Sequence, residues 1–318
     1  MSTNCILIQE AVSLMDFKEK FIKIMHHPEL FWIALGSLGL LNWVSDERYL
    51  KIAFRLQMKK KLNLENPQTY SEKLQWLKLH DRNPKYTELV DKYAVREHIK
   101  NTIGEEYLIP LLGVWEKAED INLDELPEQF VLKCNHDSGS VVICKDKTSF
   151  DFAKAKRNLT NSLRLSYYPG GREWPYKNLQ PKIIAEKYMV DESGYELKDY
   201  KFYTFNGVVK ALLIATGRQS GNTKLDYFDA EYNHLPFTRG QPNSNKEIPK
   251  PKSFEEMKLL AEKLSEGLCE ARVDFYDING KIYFGEITFF PAGGFMPFEP
   301  EEWDYTFGSW IQLPEKTE

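Results

Sequence analysis

One stretch near the carboxyl end, residues 272–288, restricts the possible folds more than any other part of the chain. Its sequence is RVDFYDINGKIYFGEIT, in which aromatic and β-branched residues surround Asn279-Gly280. This pattern predicts a β-hairpin. Asp274 and Glu286 lie in its two arms, and a buried carboxylate without a partner is strongly disfavoured. A divalent cation held by oxygen ligands would satisfy both carboxylates, so the hairpin predicts a metal site.

The length of the turn decides whether the two carboxylates share a face, because side chains alternate along a strand. A two-residue turn at Asn279-Gly280 would pair Asp274 with Gly285 and direct Glu286 to the other face. A three-residue loop, with Gly280 in the left-handed region, would close a type I turn with a bulge. That loop places four side chains on one face: Arg272, Asp274, Glu286 and Thr288. We predict the three-residue loop; the alternative is an ordinary surface hairpin whose charges face water.

The composition narrows the class of protein. A chain of 318 residues is long enough for two domains or one large mixed body. Its 42% hydrophobic and 28% charged residues are typical of a soluble globular protein. A net charge of -5 gives no electrostatic reason to expect nucleic-acid binding. The four cysteines show no C-x-x-C spacing and the six histidines no H-E-x-x-H, which argues against zinc; reduced thiols fit the cytoplasm.

The first 80 residues are predicted to be mainly helical. Apolar residues recur at helical spacing over residues 17–24 and 49–56, and residues 69–77 form a capped amphipathic pattern. The uncharged stretch 30–44, LFWIALGSLGLLNWV, is shorter than the roughly 20 residues that span a bilayer. A buried helix, or a pair bent at a glycine, is one interpretation, and a face that docks on a membrane or a partner is the other. The amino terminus lacks the features of a signal peptide.

Short helices and strands alternate in the rest of the chain. Strands are predicted at 107–115, 130–133, 141–144 and 183–186, and a hairpin over 199–214 turns at Asn206-Gly207. Helices are predicted at 150–165 and 254–268. Residues 167–181 read as an irregular loop, whose Arg172, Trp174 and Tyr176 either form a lid that stacks on a sugar or serve only as packing groups.

A second motif, residues 132–140 (LKCNHDSGS), suggests phosphate binding. Lys133 ends a predicted strand and can deliver a fixed ammonium, while a loop with Gly139 lets backbone N–H groups approach phosphate oxygens. It is not a Walker A loop, because strands flank it on both sides. On its own the motif is weak, since a lysine at a strand end often only extends to solvent. His136 either polarises an oxygen or orders the loop.

Together with Lys92, Glu186, Asp199 and Lys201, these motifs follow one another in an order that resembles the ATP-grasp superfamily. Within it, the chain is similar to the teichuronopeptide-synthesis (TupA-like) branch found with bacterial surface-polysaccharide genes. The resemblance runs from about residue 66 to 296. Its most specific parts are LKCNHDSGS, the RVD at 272–274 and GEITFFPAGGF at 285–295.

The resemblance implies an α+β ATP-grasp fold in which two α+β subdomains clamp ATP, with a helical N-terminal region. The implied division has three parts. Residues 1–80 form the helical region, 81–185 the pre-grasp segment and the first subdomain with the phosphate loop, and 186–318 the second subdomain with the metal-binding hairpin.

The resemblance also implies residue roles. ATP would be held by Lys92, Lys133, His136, Ser138, Gly139, Ser140, Glu186, Lys187, Tyr188, Met189, Asp199 and Lys201. Residues 186–189 would meet adenine, and Asp199 the ribose. Mg²⁺ would be held by Asp274, Glu286 and Thr288, although typical members have Asn in place of Thr288. The implied catalytic residues are Arg272, Arg218, Gly293 and Gly294; the arginines would lie near the phosphates and the acyl phosphate, and the glycine N–H groups would bind an oxyanion.

The implied activity is that of an ATP- and Mg²⁺-dependent carboxylate–amine ligase, which forms an acyl phosphate that an amine converts to an amide. The implied substrates are a carboxylate on a small molecule or glycan, such as a uronic acid, and an amine such as an amino acid. The resemblance places the reaction in capsular or cell-surface polysaccharide biosynthesis. It predicts a cytoplasmic location with peripheral contact to a membrane-bound assembly at the inner face of the membrane, and no nucleic-acid partner.

Two alternatives come from other classes of protein. A glycosyltransferase of the same pathway would be expected to carry Asp-x-Asp, which does not occur in the sequence. A non-catalytic ATP-binding module would not need its catalytic groups, whereas Lys133, Asp274 and Glu286 are all present.

Overall fold

The structure, a computed structural model, describes residues 28–191, 194, 197–218 and 221–315. Its α-helices are α1 (Pro28–Ser37), α2 (Asp46–Met58), α3 (Tyr70–His80), α4 (Lys85–Val90), α5 (Val95–Thr102), α6 (Phe152–Leu163), α7 (Tyr168–Gly171), α8 (Phe254–Leu264) and α9 (Glu302–Trp310). Its strands are β1 (Leu111–Trp115), β2 (Phe130–Cys134), β3 (Val142–Cys144), β4 (Ile183–Lys187), β5 (Asp199–Phe205), β6 (Val208–Thr216), β7 (Lys224–Asp229), β8 (Glu270–Ile278) and β9 (Lys281–Thr288). The helix predicted over residues 17–24 lies outside the described residues.

Two antiparallel sheets organise the described part of the chain. The first has the strand order β1-β4-β2-β3 and the second the order β7-β6-β5-β8-β9. With helices packed on both sheets, the predicted α+β class with a helical N-terminal region is confirmed. The predicted strands and the Asn206-Gly207 hairpin are present, whereas β7 was missed by the sequence analysis. Because β4 is an inner strand of the first sheet, we propose that the first subdomain ends after Lys187 and not at residue 185.

The first sheet has one covered face and one that carries polar groups. Along β2, Phe130, Leu132 and Cys134 are buried, and they share a core cluster with Leu159 of α6. Because side chains alternate along a strand, Lys133 projects from the opposite face. The apolar period of β2 therefore fixes the direction of this lysine.

The second sheet is arranged in the same way. Phe202, Val273 and Phe275 are buried in one core cluster with Phe254 and Met257 of α8. The residues between them along β5 and β8 face the other side. Cross-strand pairing aligns three charged residues of that side in one row, in the order Lys201, Asp274 and Glu286.

Helix α3 joins the N-terminal helices to the second sheet. Thr69 and Glu72 form a capping box at its start, as the sequence predicts. Tyr70, Leu74 and Leu77 are buried in the same core cluster as the second sheet. Lys73 donates to the carbonyl oxygens of Gly308 and Ile311, both at 2.8 Å, beside the end of α9. The helical N-terminal region is thus built into the core of the second sheet.

The apolar stretch 30–44 has a buried side and an exposed side. Ile33, Leu41 and Val44 are buried, and the latter two pack in a cluster with α2. Leu38 and Trp43 are 74% and 81% exposed. The buried-helix interpretation therefore holds for one side only. In the described ranges, no helix is both long and apolar enough to span a bilayer.

Residues 167–176 do not form the open lid suggested by the sequence. Arg172 is only 2% exposed and donates to Leu41 O at 2.7 Å, and Trp174 is 9% exposed. Tyr49 of α2 also donates to Gly170 O at 2.9 Å. Tyr168 and Arg172 hold this segment against the N-terminal helices, and Trp174 stacks on Tyr86 of α4.

Candidate functional site

The hairpin of β8 and β9 differs from its prediction in one respect. Ile278 pairs with Lys281, so the turn contains two residues, Asn279-Gly280, and both have positive φ, as in a type I′ turn. The predicted three-residue loop is wrong. A bulge at Gly285 supplies the extra residue instead, and Asp274 pairs directly with Glu286. The two carboxylates therefore share a face, as predicted, for a different reason.

Arg272 lies at the centre of the four residues predicted to share this face. Its Nε and Nη2 donate to the two carboxylate oxygens of Asp274 at 2.7 and 2.8 Å. Nη2 also donates to Glu286 Oε1 and to Thr288 Oγ1, each at 3.0 Å. One guanidinium thus touches every predicted metal ligand, and it compensates the buried Asp274, which is 1% exposed.

A second group of charges lies on β5, next to the hairpin. Lys201 contacts Asp274 and lies 3.6 Å from Asp199 Oδ1. Arg218 contacts the other oxygen of Asp199. Burial alone would raise the pKa of Asp199, but Lys201 and Arg218 outweigh it and lower that pKa. Asp199 is therefore ionised and engaged by two cations at neutral pH.

Lys92 lies between the loop that joins β2 to β3 and strand β9 of the second sheet. Its Nζ donates to Asp137 O in the phosphate loop at 2.6 Å and lies 3.5 Å from Glu286 Oε2. Burial would raise the pKa of Glu286, yet Lys92, Lys201 and Arg272 together hold it below its usual range. We call the following residues the charged cluster: Lys92, Lys201, Arg218, Arg272, Asp199, Asp274 and Glu286.

The oxygen groups of the charged cluster fit magnesium by chemical type. Asp274 and Glu286 are paired carboxylates, Thr288 adds a hydroxyl on the same face, and the Glu286 side chain is 30% exposed. In this arrangement Arg272 contacts all three groups, while Lys201 also contacts Asp274 and Lys92 lies near Glu286. Within the described ranges, no group of three or more acidic, His or Cys side chains is arranged to hold a metal ion. A bound ion would thus share these oxygens with Arg272 and rely on phosphate or water for its other ligands.

On the first sheet, Lys133 and Glu186 form a close ion pair. Lys133 Nζ lies 2.6 Å from Glu186 Oε2, and Arg96 Nη1 lies 3.4 Å from the other carboxylate oxygen. Arg96 also donates to Ile109 O at 2.9 Å. Arg96 was not among the predicted site residues, although its spacing of four from Lys92 was an available signal.

The side chains of the first two predicted hinge residues, Glu186 and Lys187, lie on opposite faces of β4, because they are successive residues of the strand. Glu186 faces Lys133, while Lys187 and Tyr188 line an open groove of about 590 Å³ beside Leu112 and Gln129. Met189 follows, half-buried. The backbone N–H of Lys187 donates to Pro110 O at 3.0 Å, so at this position the backbone is engaged by the chain itself.

The phosphate loop is held by its own polar side chains. Ser140 Oγ accepts from Cys134 N at 2.7 Å and donates to Asp137 Oδ1 at 2.6 Å. His136 is buried, and its Nε2 lies 3.2 and 3.1 Å from the carbonyl oxygens of Ser162 and Leu165 at the end of α6. Of the two roles considered for His136, this geometry supports ordering of the loop. Ser138 N–H donates to the Tyr167 hydroxyl at 3.3 Å, and Gly139 lies beside it.

The glycine turn, residues 291–294, begins three residues after the end of β9. Ala292, Gly293 and Gly294 all have φ between 55° and 69°, a region that glycine tolerates best. Gly293 N–H donates to Phe290 O at 2.7 Å, so it could bind an oxyanion only after leaving that carbonyl. The carbonyl oxygens of the turn accept from Gln75 and Lys78 of α3, which the sequence analysis did not single out.

Two tyrosines also border the charged cluster. Burial, with nearby carboxylates including Glu286, raises the pKa of Tyr176 and of Tyr276 well above the usual range. Both are neutral hydroxyls at any physiological pH. Tyr276 shares its face of β8 with Asp274, and the period-two spacing along the strand could have revealed it.

Comparison with known proteins gives a match of one family model, TupA-like ATPgrasp, over residues 72–312. No curated protein matches the chain. Among solved structures, D-alanine–D-alanine ligase from Bacillus anthracis is 18% identical with a TM-score of 0.37, and the match covers 63% of this chain and 57% of that one. The Helicobacter pylori enzyme of the same name is 13% identical with a TM-score of 0.41, covering 76% and 69%.

A further solved structure that matches is the ATP-grasp ligase PsnB complexed with minimal precursor, Mg and ADP. It is 10% identical with a TM-score of 0.38, and the match covers 69% of this chain and 57% of PsnB. The chain thus spans less than two thirds of the length of the Bacillus anthracis ligase and of PsnB.

Proposed function

This chain belongs to the TupA-like ATP-grasp family, and from that membership we propose that it is an ATP- and magnesium-dependent carboxylate–amine ligase. In this proposal a substrate carboxylate receives the γ-phosphoryl group of ATP, and an amine then displaces phosphate to give an amide. The substrates, the metal and the residue roles are part of the proposal.

The observation that carries the proposal is the charged cluster itself. It brings four cationic side chains together with three carboxylates, which leaves one net positive charge at neutral pH. Phosphoryl transfer needs positioning and positive charge more than acid–base groups, because charge is spread over the phosphate oxygens as the reaction proceeds. The cluster supplies both from two subdomains.

Residue roles follow from position. Lys92, which contacts Glu286, and Lys133, which is paired with Glu186, would hold phosphate oxygens. Arg272 and Arg218 would hold the reacting carboxylate and the transferred phosphoryl group. Asp199 would accept hydrogen bonds from the ribose once its pairing with Arg218 loosens.

Magnesium would bind to Asp274, Glu286 and Thr288. When bound, it would neutralise phosphate charge and keep the reacting groups in line. Glu286 is the best placed of the three, because it is ionised and partly exposed. Asp274 would act while still held by Arg272 and Lys201, so its contribution would be smaller.

We further propose that the acid is a uronic acid on a sugar or glycan, that the amine is an amino acid, and that the product serves surface-polysaccharide synthesis. The resemblance to teichuronopeptide-synthesis proteins supports these substrates. The exposed Leu38, Leu40 and Trp43 support a peripheral contact of this cytoplasmic enzyme with a membrane-bound assembly. Sedimentation with vesicles of mixed anionic and neutral lipid, before and after Trp43→Ser, tests that contact.

The function is tested by ADP release from Mg·ATP with D-glucuronate or D-galacturonate, each combined with a panel of amino acids. We expect ADP release that requires both an acid and an amine, and hydroxylamine in place of the amine should trap the acyl phosphate as a hydroxamate. Tight Mg·ATP binding without turnover on any pair would support a non-catalytic module instead. Release of a nucleoside diphosphate from a sugar nucleotide would support a glycosyltransferase.

A further inference from the structure

A buried ammonium group lies behind the glycine turn. Lys78 of α3 is 0% exposed, and its Nζ donates to three oxygens: Gln75 Oε1 at 3.0 Å, Gly171 O at 2.8 Å and Gly293 O at 2.7 Å. A lysine ammonium has three N–H donors, so all are used. Burying an ammonium is strongly unfavourable unless such partners compensate it. An apolar side chain would fill the same space in a core without that penalty.

Gln75, one helical turn before Lys78, engages the same backbone. Its Nε2 donates to Gly293 O and Gly294 O, each at 3.1 Å. The fit is tight, because a Cβ atom added at Gly294 would lie 2.4 Å from that nitrogen. Side chains three residues apart share a face of a helix, so α3 presents Gln75 and Lys78 as one unit to the turn.

These contacts fix the direction of one peptide group. The Gly293–Gly294 peptide is trans and planar, so when its carbonyl points to α3 its N–H points to the opposite side. The turn begins three residues after Thr288, whose hydroxyl accepts from Arg272. Lys78 and Gln75 therefore set how the backbone leaves the charged cluster.

Lys78 also ties the turn to a second segment that borders the cluster. Gly171 belongs to α7. Tyr176 follows five residues later, and the charges of Glu286 and Arg272 act on the pKa of its hydroxyl. Glu173 is the acidic side chain that faces Lys78, and the rings of Phe290 and Phe295 lie 5.6 and 4.7 Å from Nζ. Burial lowers the pKa of Lys78 to about 8, so the donor form prevails at neutral pH.

We propose that Lys78, assisted by Gln75, is a positioning residue of the ligase site that holds the Gly293–Gly294 turn and the α7 segment in the orientation required for acyl transfer. The proposal rests on the proposed function. The oxygens to which Lys78 donates belong to none of the residues proposed to hold ATP or magnesium, so its removal should slow the chemical step without weakening nucleotide binding.

Lys73 provides a matched control, because it is a lysine of the same helix whose Nζ donates to two backbone carbonyls beside α9, away from the glycine turn. We expect Lys78→Met to lower kcat by at least about tenfold with an unchanged Kd for Mg·ATP, and Lys78→Arg, which keeps a cationic donor, to recover part of the loss. Lys73→Met should keep kcat within about twofold. Parental kcat in Lys78→Met, or equal losses in Lys78→Met and Lys73→Met, would overturn the proposal.

A second measurement does not depend on the substrates. Hydrogen–deuterium exchange of residues 289–296 should be faster in Lys78→Met, and in Gln75→Leu, than in the parent, and unchanged in Lys73→Met. If no acid–amine pair turns over, the proposed function fails, yet this exchange result still decides whether Lys78 holds the turn. If hydrogen–deuterium exchange of residues 289–296 is unchanged in Lys78→Met, Lys78 does not position the turn, whatever the kcat of the variant.

Discussion

Lys92 Nζ lies 3.5 Å from Glu286 Oε2 of β9, and the same ammonium lies 2.6 Å from Asp137 O in the loop between β2 and β3. One side chain thus links the loop proposed to bind phosphate to the hairpin proposed to bind magnesium. In the proposed complex, phosphate oxygens would compete with Glu286 for this ammonium.

Replacing Lys92 with Met should weaken nucleotide binding. A hydrogen bond to a charged group contributes about 1.5–3 kcal/mol, which corresponds to a rise of roughly ten- to a hundredfold in the Kd for Mg·ATP. Isothermal titration of the variant and of Lys85→Met, an exposed lysine on α4, measures this. An unchanged Kd in the Lys92 variant would remove it from the nucleotide site.

Lys133→Ala should also raise the Kd for Mg·ATP by at least about tenfold and should leave the fold intact. The substitution removes the ammonium that lies 2.6 Å from Glu186 Oε2. Glu186 then keeps only its 3.4 Å contact with Arg96. The exposed Lys154 of α6 gives a control, since Lys154→Ala also removes one positive charge, at a position outside the candidate site. Parental turnover in Lys133→Ala would show that this lysine does not act on ATP.

Glu286→Gln should lower kcat by roughly a hundredfold or more, because one lost electrostatic contact at a transition state costs that much. It should also shift the magnesium dependence of ADP release to higher concentration. Circular dichroism should match the parent, since Gln fits the same space. The exposed Glu266→Gln should behave like the parent in both measurements. A magnesium titration identical in Glu286→Gln and the parent would contradict the assigned metal ligand.

Substitutions at two glycines of the β8–β9 hairpin should affect activity and stability differently. A Cβ at Gly285 would lie 3.0 Å from Asp274 O, so Gly285→Val should distort the bulge and lower kcat more than about tenfold, as expected when a reacting group is misplaced. Gly280 has φ 84° in the turn with open space around it, so Gly280→Ala should cost about 1–2 kcal/mol of stability and leave kcat within twofold. Thermal melts and initial rates check both. The reverse pattern would mean that the bulge does not matter for the site.

Glu270 should make stability depend on pH. It is 3% exposed, accepts from the Tyr70 hydroxyl at 2.8 Å, and burial raises its pKa to about 8 from an ordinary 4.5. Between these pH values the folded protein binds more protons than the unfolded chain, so the contribution of Glu270 to stability is complete below about pH 4.5 and decreases as pH rises to 8.

In urea titrations over that pH range, Glu270→Gln should therefore gain stability relative to the parent as pH rises, on the order of a few kcal/mol in total. An unchanged difference between the two proteins at pH 5 and pH 8 would show that Glu270 does not titrate in this way.

The hairpin shows what sequence patterns can and cannot establish. The family resemblance and the α+β class are confirmed, and the four side chains predicted to share a face do share it. The reason for that arrangement was wrong, because Asn279-Gly280 forms its usual two-residue turn and the extra residue lies at Gly285. A bulge depends on how a strand bends against its partner, and a single glycine between Phe284 and Glu286 does not reveal it.

Lys78 marks the second limit. The sequence predicts the capped helix α3, and on an amphipathic pattern a lysine belongs to the solvent side. The oxygens that make burial tolerable come from Gly171 and Gly293, far along the chain. Only the assembled fold brings these acceptors together, so the position of Lys78 was beyond local inference.

The packing of α3 bears on how pieces of such enzymes can be exchanged. A chimera that joins residues 81–315 to foreign N-terminal helices would keep the three most specific motifs of the family resemblance, yet it would lose the Gln75 and Lys78 side chains that hold residues 291–294. Such a chimera should still bind Mg·ATP, but its chemical step should be slower than that of the parent. Useful crossover points therefore lie before Thr69, so that α3 travels with the hairpin it supports.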